Sequence, residues 1–297
     1  METAIVAVIS GTCTPSVTSS AALLTVVSPV TIAGQPSNTE VCSGSNVNFA
    51  VTGSGTGIIY QWQVSTDAGA TWNNIPGGTS ATLSLNSVTT TMNGNRYRCQ
   101  LSNPTCTTPS ASGIATLTVR QLPTVGLSAA LLTSLLPGQT TILTATPSAS
   151  TGGTLTTSWF KNGTAFTNTG NTYVVNVETT GSYRVSIQEI FTGGLVCSNQ
   201  SPVVVIDAAI SNKLFIFPSP NDGQFTVSYY NNGGASTSRT VTVYDSKGAK
   251  VYNAKFPVIG PYTLLSVNIK PAQSGIYYVL VGDAAGNKLG EGKVLVH

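Results

Sequence analysis

Apolar and polar residues alternate in short runs along almost the whole chain. Between 46 and 52, Val47, Phe49 and Val51 fall on one face while Asn46, Asn48 and Ala50 fall on the other. That period of two is the mark of a half-buried strand. Comparable runs, rich in Val, Thr, Ile and Tyr, are separated by clusters of Gly, Pro, Ser, Thr and Asn that serve as turns. No run keeps a helical period. The alternation is less regular over 140 to 146, where Ile142, Leu143 and Ala145 compete for the inner face. The pattern predicts an all-β chain. Its 297 residues exceed one sandwich and suit two or three domains of about 100 residues each.

An internal repeat sharpens the division. Shifted by 93 residues, TCTPSVTSSAALLTV (12–26) lies on TCTTPSASGIATLTV (105–119) with eight of fifteen positions identical, Cys13 on Cys106 among them. A period near 90 belongs to tandem sandwiches rather than to a short-repeat solenoid. Residues 1–26 then read as the last two strands of a truncated domain. A full domain is expected over 27–120, with strands at 29–33, 46–52, 58–65, 71–75, 81–86, 95–101 and 112–120. A second follows over 121–207, with strands near 140–146, 155–160, 173–177, 182–188 and 202–206, and a last domain of different pattern over 208–297. Pro123 and Pro202 stand at strand starts, where a missing N–H costs little.

In the first full unit Trp62 lies in IIYQWQV and Tyr97 precedes Cys99 by two in NRYRC; in the second, Trp159 (SWFKNG) and Tyr183 (GSYRVSI) repeat the pair without the cysteine. This arrangement resembles the immunoglobulin superfamily, with a buried Trp on the third strand and a tyrosine corner opening the sixth. The resemblance implies tandem immunoglobulin-like β-sandwiches with Trp62, Tyr97, Cys99, Trp159 and Tyr183 as structural core. Val51 occupies the place of the family's other core cysteine, so Trp62 would pack on Val51 and Cys99 without a bridge. Between the strands, Ser65-x-Asp67-x-Gly69-x-Thr71-Trp72 resembles the Asp-box hairpin of sialidases. Locally, Asp67 bonds turn amides, Gly69 permits positive φ and Trp72 pins the hairpin on the core. A sugar contact or a Ca²⁺ role for Asp67 stands beside that reading.

Chemistry finds little to work with. The only histidine is His297, the five cysteines (Cys13, Cys42, Cys99, Cys106, Cys197) include no CxxC pair, and the ten carboxylates are scattered over turns and strand ends. A nucleophile–base pair, a zinc site and a two-carboxylate glycosidase centre each lack their parts. The expectation is no enzyme, no cofactor and no metal. Cysteine usage points to an oxidising compartment. Cys99–Cys106 and Cys42–Cys106 are the open pairings, with Cys13 and Cys197 lacking a partner in their own modules. The start, METAIVAVISGTC, carries Glu2 and no base before its apolar stretch, and so does not read as a signal peptide. No uninterrupted apolar stretch is long enough to span a bilayer.

Charge shifts near 207. Residues 1–207 carry five bases and six acids, residues 208–297 eight and four. Lys247, Lys250, Lys255, Lys270 and Lys288 are spaced singly, without the cluster that nucleic-acid binding needs. Four motifs follow in order: Pro218, Pro220, Gly223 and Phe225 in FPSPNDGQF; Tyr244, Asp245, Gly248 and Val251 in VYDSKGAKV; Gly275 and Tyr277 in SGIYY; and Lys293 to Val296 at the end. They resemble the type A C-terminal sorting domain of the type IX secretion system (Por secretion system) of Bacteroidota, with Ser219 where the family usually has Asn. The resemblance implies a translocon and a sortase as partners, passage across the outer membrane to the cell surface or medium, and cleavage in the linker Asp207–Lys213. Read from the residues, Lys247-Gly248 makes a tight turn and Gly275 allows close packing beside Tyr277.

Three functions compete: adhesion or spacer modules that bind a glycan or surface, the accessory tail of a large secreted hydrolase, and a surface filament subunit that self-associates by strand complementation through residues 1–26.

Overall fold

The computed structural model describes residues 2–12, 15–104, 108–150, 152–231 and 237–297. The described chain is all-β, its helical content limited to two single 3₁₀ turns, Thr90–Met92 and Val177–Thr179. It divides into two compact units, the first made of Met1–Pro123, Ala149–Thr154 and Glu189–Cys197, the second of Thr124–Ser148, Leu155–Gln188 and Ser198–His297.

In the first unit, one sheet runs in the order Asn73–Asn74, Ile59–Ser65, Arg96–Ser102, Ala115–Arg120, Thr39–Cys42, with Ser110–Ala111 also on Arg96–Ser102. Thr82–Leu85 pairs Val47–Ala50 and Thr31–Gly34 pairs Thr52–Ser54 to form the opposing layer. The alternation read at 47–51 is realised: Val47, Phe49 and Val51 are buried while Asn48 and Ala50 are exposed. Between the layers Trp62, Tyr97, Leu101, Leu117 and Phe49 form one core. Strand Thr39–Cys42, absent from the sequence reading, pairs in parallel with Ala115–Arg120. Its four residues are all half-buried, so no alternation marks it.

Residues 2–26 form two small ladders, Glu2–Ile5 on Ala22–Thr25 and Val8–Ile9 on Val17–Thr18. They repeat a device seen twice more. The Ser112 N–H donates to the Cys99 carbonyl while its hydroxyl accepts from the Cys99 N–H. Ser19 makes the same pair of bonds with Ala7, and Ser201 with Val185. Each serine stands in for a ladder residue where the strand bends, so the backbone stays satisfied across the irregularity.

In the second unit, Thr124–Ala129, Thr140–Ser148 and Thr172–Asn176 form one layer. Ser134–Leu135, Val204–Ala208, Gly181–Ile190, Thr154–Lys161 and Thr164–Phe166 form the other, with Val196–Gln200 on Gly181–Ile190. Along 140–145 the inner face belongs to Thr141, Leu143 and Ala145, and Ile142 points out at 45% exposure. Thr141 is accommodated because its hydroxyl donates to the Ala130 carbonyl at 2.5 Å. Strands at 124–129, 134–135, 164–166 and 196–200 had no counterpart in the sequence reading.

The C-terminal segment adds a three-stranded sheet (Leu214–Phe217, Gln224–Tyr229, Leu265–Asn268) and a four-stranded one (Lys250–Val258, Thr237–Tyr244, Gly275–Gly282, Lys288–Val296) around a valine-rich core. Tyr262 leaves this segment to join the Trp159 core: it is 4% exposed, its hydroxyl donates to the Ala209 carbonyl at 2.7 Å, and Phe215 and Tyr230 meet its ring edge-on. The linker is shorter than expected, because Asp207 and Ala208 close the strand Val204–Ala208 and the Ala209 N–H donates to Leu135.

Both cysteine pairings left open by the sequence are overturned. Cys42 is bonded to Cys197, and Cys99 is a free, buried thiol. Cys197 therefore has a partner, but one 155 residues away, outside its own sandwich. Cys13 and Cys106 lie outside the described residues.

Candidate functional site

The opening motif of the C-terminal segment is a turn clasped to the end of the chain. Phe217–Pro218 and Ser219–Pro220 are cis bonds. Asn221 then uses its whole side chain, its amide donating to the Pro218 carbonyl at 3.0 Å and its oxygen accepting from the Gly223 N–H at 2.8 Å. Its backbone bonds Leu295 and His297, and the Ser219 hydroxyl accepts from the Leu295 N–H at 3.2 Å. The first and last motifs are thus one assembly, and Ser219 is part of the clasp. Gly223 holds φ +94, with the Lys270 stem 3.2 Å from where a Cβ would stand. Beside it the Lys270 ammonium bonds the Asp222 carboxylate at 2.5 Å, which with a turn amide holds that exposed carboxyl below its ordinary range. Phe225 enters the core.

The central motif is a hairpin. Asp245 accepts from the N–H groups of Lys247 and Ala249 at 2.9 and 2.8 Å, and Gly248 takes φ +85. Tyr244 is half-buried opposite Tyr278. In the third motif Tyr277 is buried and its hydroxyl donates to the Gln273 carbonyl at 2.9 Å, a tyrosine corner of the kind Tyr183 makes with the Thr179 carbonyl. Gly275 corrects the sequence reading: nothing lies within 4 Å of the position a Cβ would take, so close packing is not its reason. Asp245, Gly275 and Tyr277 line one open groove of about 350 Å³ with Lys247, Pro271 and Ser274. Lys293 lies on the surface with its ammonium 5.4 Å from the Tyr278 ring centroid, while Val294 and Val296 are core.

The sandwich residues sit deep. Trp62 is fully buried and its indole N–H donates to the Ser80 carbonyl at 2.9 Å; Tyr97 stacks on Phe49 at 4.9 Å. Burial pushes the Cys99 thiol up to about 11, which keeps it protonated and unreactive. Trp159 donates to the Gly170 carbonyl at 3.2 Å and is ringed by Phe166 and Tyr173, with Tyr183 against both of those. Burial raises the Tyr183 phenol to about 12.

In the hairpin, Asp67 accepts from the Thr71 hydroxyl and N–H at 2.5 and 2.9 Å and from the Ser65 hydroxyl at 2.7 Å. Those bonds, the Thr71 hydroxyl first, lower its carboxyl to about 2. Gly69 supplies φ +97 and donates to Ser65. Trp72 departs from its expected place: it is half-buried, outside the core, with the Arg98 guanidinium 4.1 Å above its ring. Only Asn73–Asn74 of the expected strand 71–75 is extended into a ladder. Two carriers of the local geometry went unread, the serine bends and Asn221. The repeat aligns Ser19 with Ser112 and so held a signal for the first.

Among the described residues, no group of three His, Cys, Asp or Glu side chains converges as a metal site, and no helix is long and apolar enough to cross a membrane. Residues 215–295 match the family described as a secretion system C-terminal sorting domain. Residues 31–121 match a domain of unknown function (DUF8696). No curated protein matches. Similar solved structures include titin domains Z1Z2 in complex with telethonin (15% identity, 62% of this chain and 100% of that one, TM-score 0.30). Others are Sidekick-1 immunoglobulin domains 1–5 (14%, 91% and 58%, 0.27) and fibronectin(III)-like modules of Clostridium thermocellum CbhA (14%, 61% and 95%, 0.27).

Proposed function

Residues 215–295 are a type IX secretion sorting domain, the signal that carries a protein to the cell surface or the medium, and from that premise we propose that the preceding sandwiches are non-catalytic spacer and adhesion modules of the exported protein. The observation that carries this reading is how the ionisable groups are used. Asp67, Asp245 and Asp283 are each spent on the amides of their own turn, and Glu189 on those of Ser150 and Gly153. The interiors are filled with aromatic and branched side chains rather than shaped around a ligand. We place the divisions at 1–26, 27–120, 121–207 and 208–297, and the sortase cut, if the domain is removed, in the short exposed run near residues 210–213.

Deleting residues 27–207 while keeping 208–297 tests the reading in a host with this secretion system. Export is expected to persist while attachment of cells to glycan-coated or abiotic surfaces falls. Unchanged attachment defeats the adhesion role.

A second reading, self-association by strand addition, is favoured by one observation. In residues 2–26 Ile5, Val8, Ile9, Val17 and Leu23 are all at least half exposed on two-stranded ladders with free edges. Sedimentation over a range of concentrations decides it: an increasing mass that deletion of 1–26 abolishes supports it, and a constant monomer mass rejects it.

A further inference from the structure

The Cys42–Cys197 bond joins positions separated by 155 residues. Its surroundings are built from both ends of the loop it closes. Cys42 ends the strand paired with Ala115–Arg120, and the Ser43 N–H donates to the Arg120 carbonyl at 2.8 Å. The Arg120 guanidinium is held by Glu40 at 2.5 Å and lies 4.8 Å from the centroid of Phe191. Phe191 is 6% exposed and Cys197 fully buried, and the Phe191 N–H donates to the Leu195 carbonyl, closing the turn that leads into the Cys197 strand Val196–Gln200. The two cysteines are therefore seated by packing, a stacked cation and a paired strand.

We propose that this bond is a force shunt. Tension applied between the ends of the chain passes from Cys42 to Cys197 through the two sulfurs and bypasses everything enclosed. Enclosed are every buried residue of the Trp62 core, from Val47 to Val119, and those of the Trp159 core from Val125 to Ile187. Ladders of hydrogen bonds separate under loads that a covalent bond survives, so the enclosed strands carry no load while Thr31–Gly34, Val204–Ala208 and the C-terminal sandwich take the strain. The same closure keeps a chain nicked between the cysteines in one piece. The device deepens the spacer reading, which supplies the load, but the bond's effect is measurable whether or not that reading stands.

The test is single-molecule pulling of the full chain by handles at its two ends. At about 3.5 Å per residue, a sequence separation of 155 hides roughly 540 Å of contour. Complete extension of the native chain is expected to fall short of that of Cys42→Ser and Cys197→Ser by this amount, with Cys99→Ser equal to native. Treating the native chain with a dithiol, which closes to its cyclic disulfide as the bond becomes two thiols, should release the same length without any substitution. Equal contour lengths before and after reduction overturn the proposal, as does a non-reducing peptide map that joins Cys197 to a cysteine other than Cys42. If the contour changes while deletion of 27–207 leaves attachment intact, the shunt stands and the adhesion reading falls.

Discussion

The sandwiches built around Trp62 and Trp159 and the C-terminal sandwich carry their signature residues in opposite places. In the former the signature is interior: Trp62, Tyr97, Trp159 and Tyr183 are buried, and removing any of them removes packing. In the latter most of it lies in turns and at the rim. Pro218, Pro220, Asp245, Gly248 and Gly275 shape hairpins and a clasp, with Phe225, Tyr277, Val294 and Val296 reaching the core. An interior signature specifies which sheets close on one another. A turn signature specifies the outline of the hairpins and the clasp, on a core filled largely by valines.

That contrast predicts a graded set of costs. Trp159→Ala or Trp62→Ala is expected to lose about 3–5 kcal/mol of stability in urea unfolding followed by circular dichroism. A loss under 1 kcal/mol would show that the sandwiches do not depend on their aromatic centres. In the C-terminal sandwich, Gly223→Ala meets both a positive φ and the Lys270 stem at 3.2 Å, whereas Gly248→Ala meets positive φ with open space. Expected losses are about 2 kcal/mol for the first and about 1 kcal/mol for the second. Equal losses would mean that the clasp yields to accommodate the methyl.

The smallest effect concerns acid. Asp67 is depressed to about 2 in the folded chain, below its ordinary value, so its bonds favour the fold most above about pH 4. Their contribution fades as pH falls through the folded value. The urea midpoint of the native chain should therefore exceed that of Asp67→Asn at pH 6 and approach it near pH 2. A gap that stays constant across this range would show that the carboxylate charge contributes nothing to the hairpin.

Sequence alternation made the fold class legible, and the strand at 47–50 stands where Val47 and Phe49 put it. It failed where the physics is not periodic. Thr39–Cys42 is half-buried throughout, and Thr141 faces inward because a single hydroxyl bond satisfies it, sending the more apolar Ile142 outward. The hairpin motif reads Trp72 as a pin on the core, yet Arg98 offers its ring a stacking partner at the surface. The motif residues of the C-terminal segment were legible as a set, but not their joining: Ser219 and Asn221 meet Leu295 and His297 only once the chain has folded. Spacing also says nothing of a disulfide whose partners lie 155 residues apart.

The central claim is that residues 208–297 act as a self-contained export signal, separable from the sandwiches before them. Its most direct test is to fuse those residues to the C-terminus of a periplasmic reporter, in a host that has the type IX system, and to measure the share of reporter outside the outer membrane. The account predicts that the fusion appears at the surface or in the medium and stays in the periplasm when the translocon is disabled. A fusion that remains in the periplasm of the competent host would contradict it.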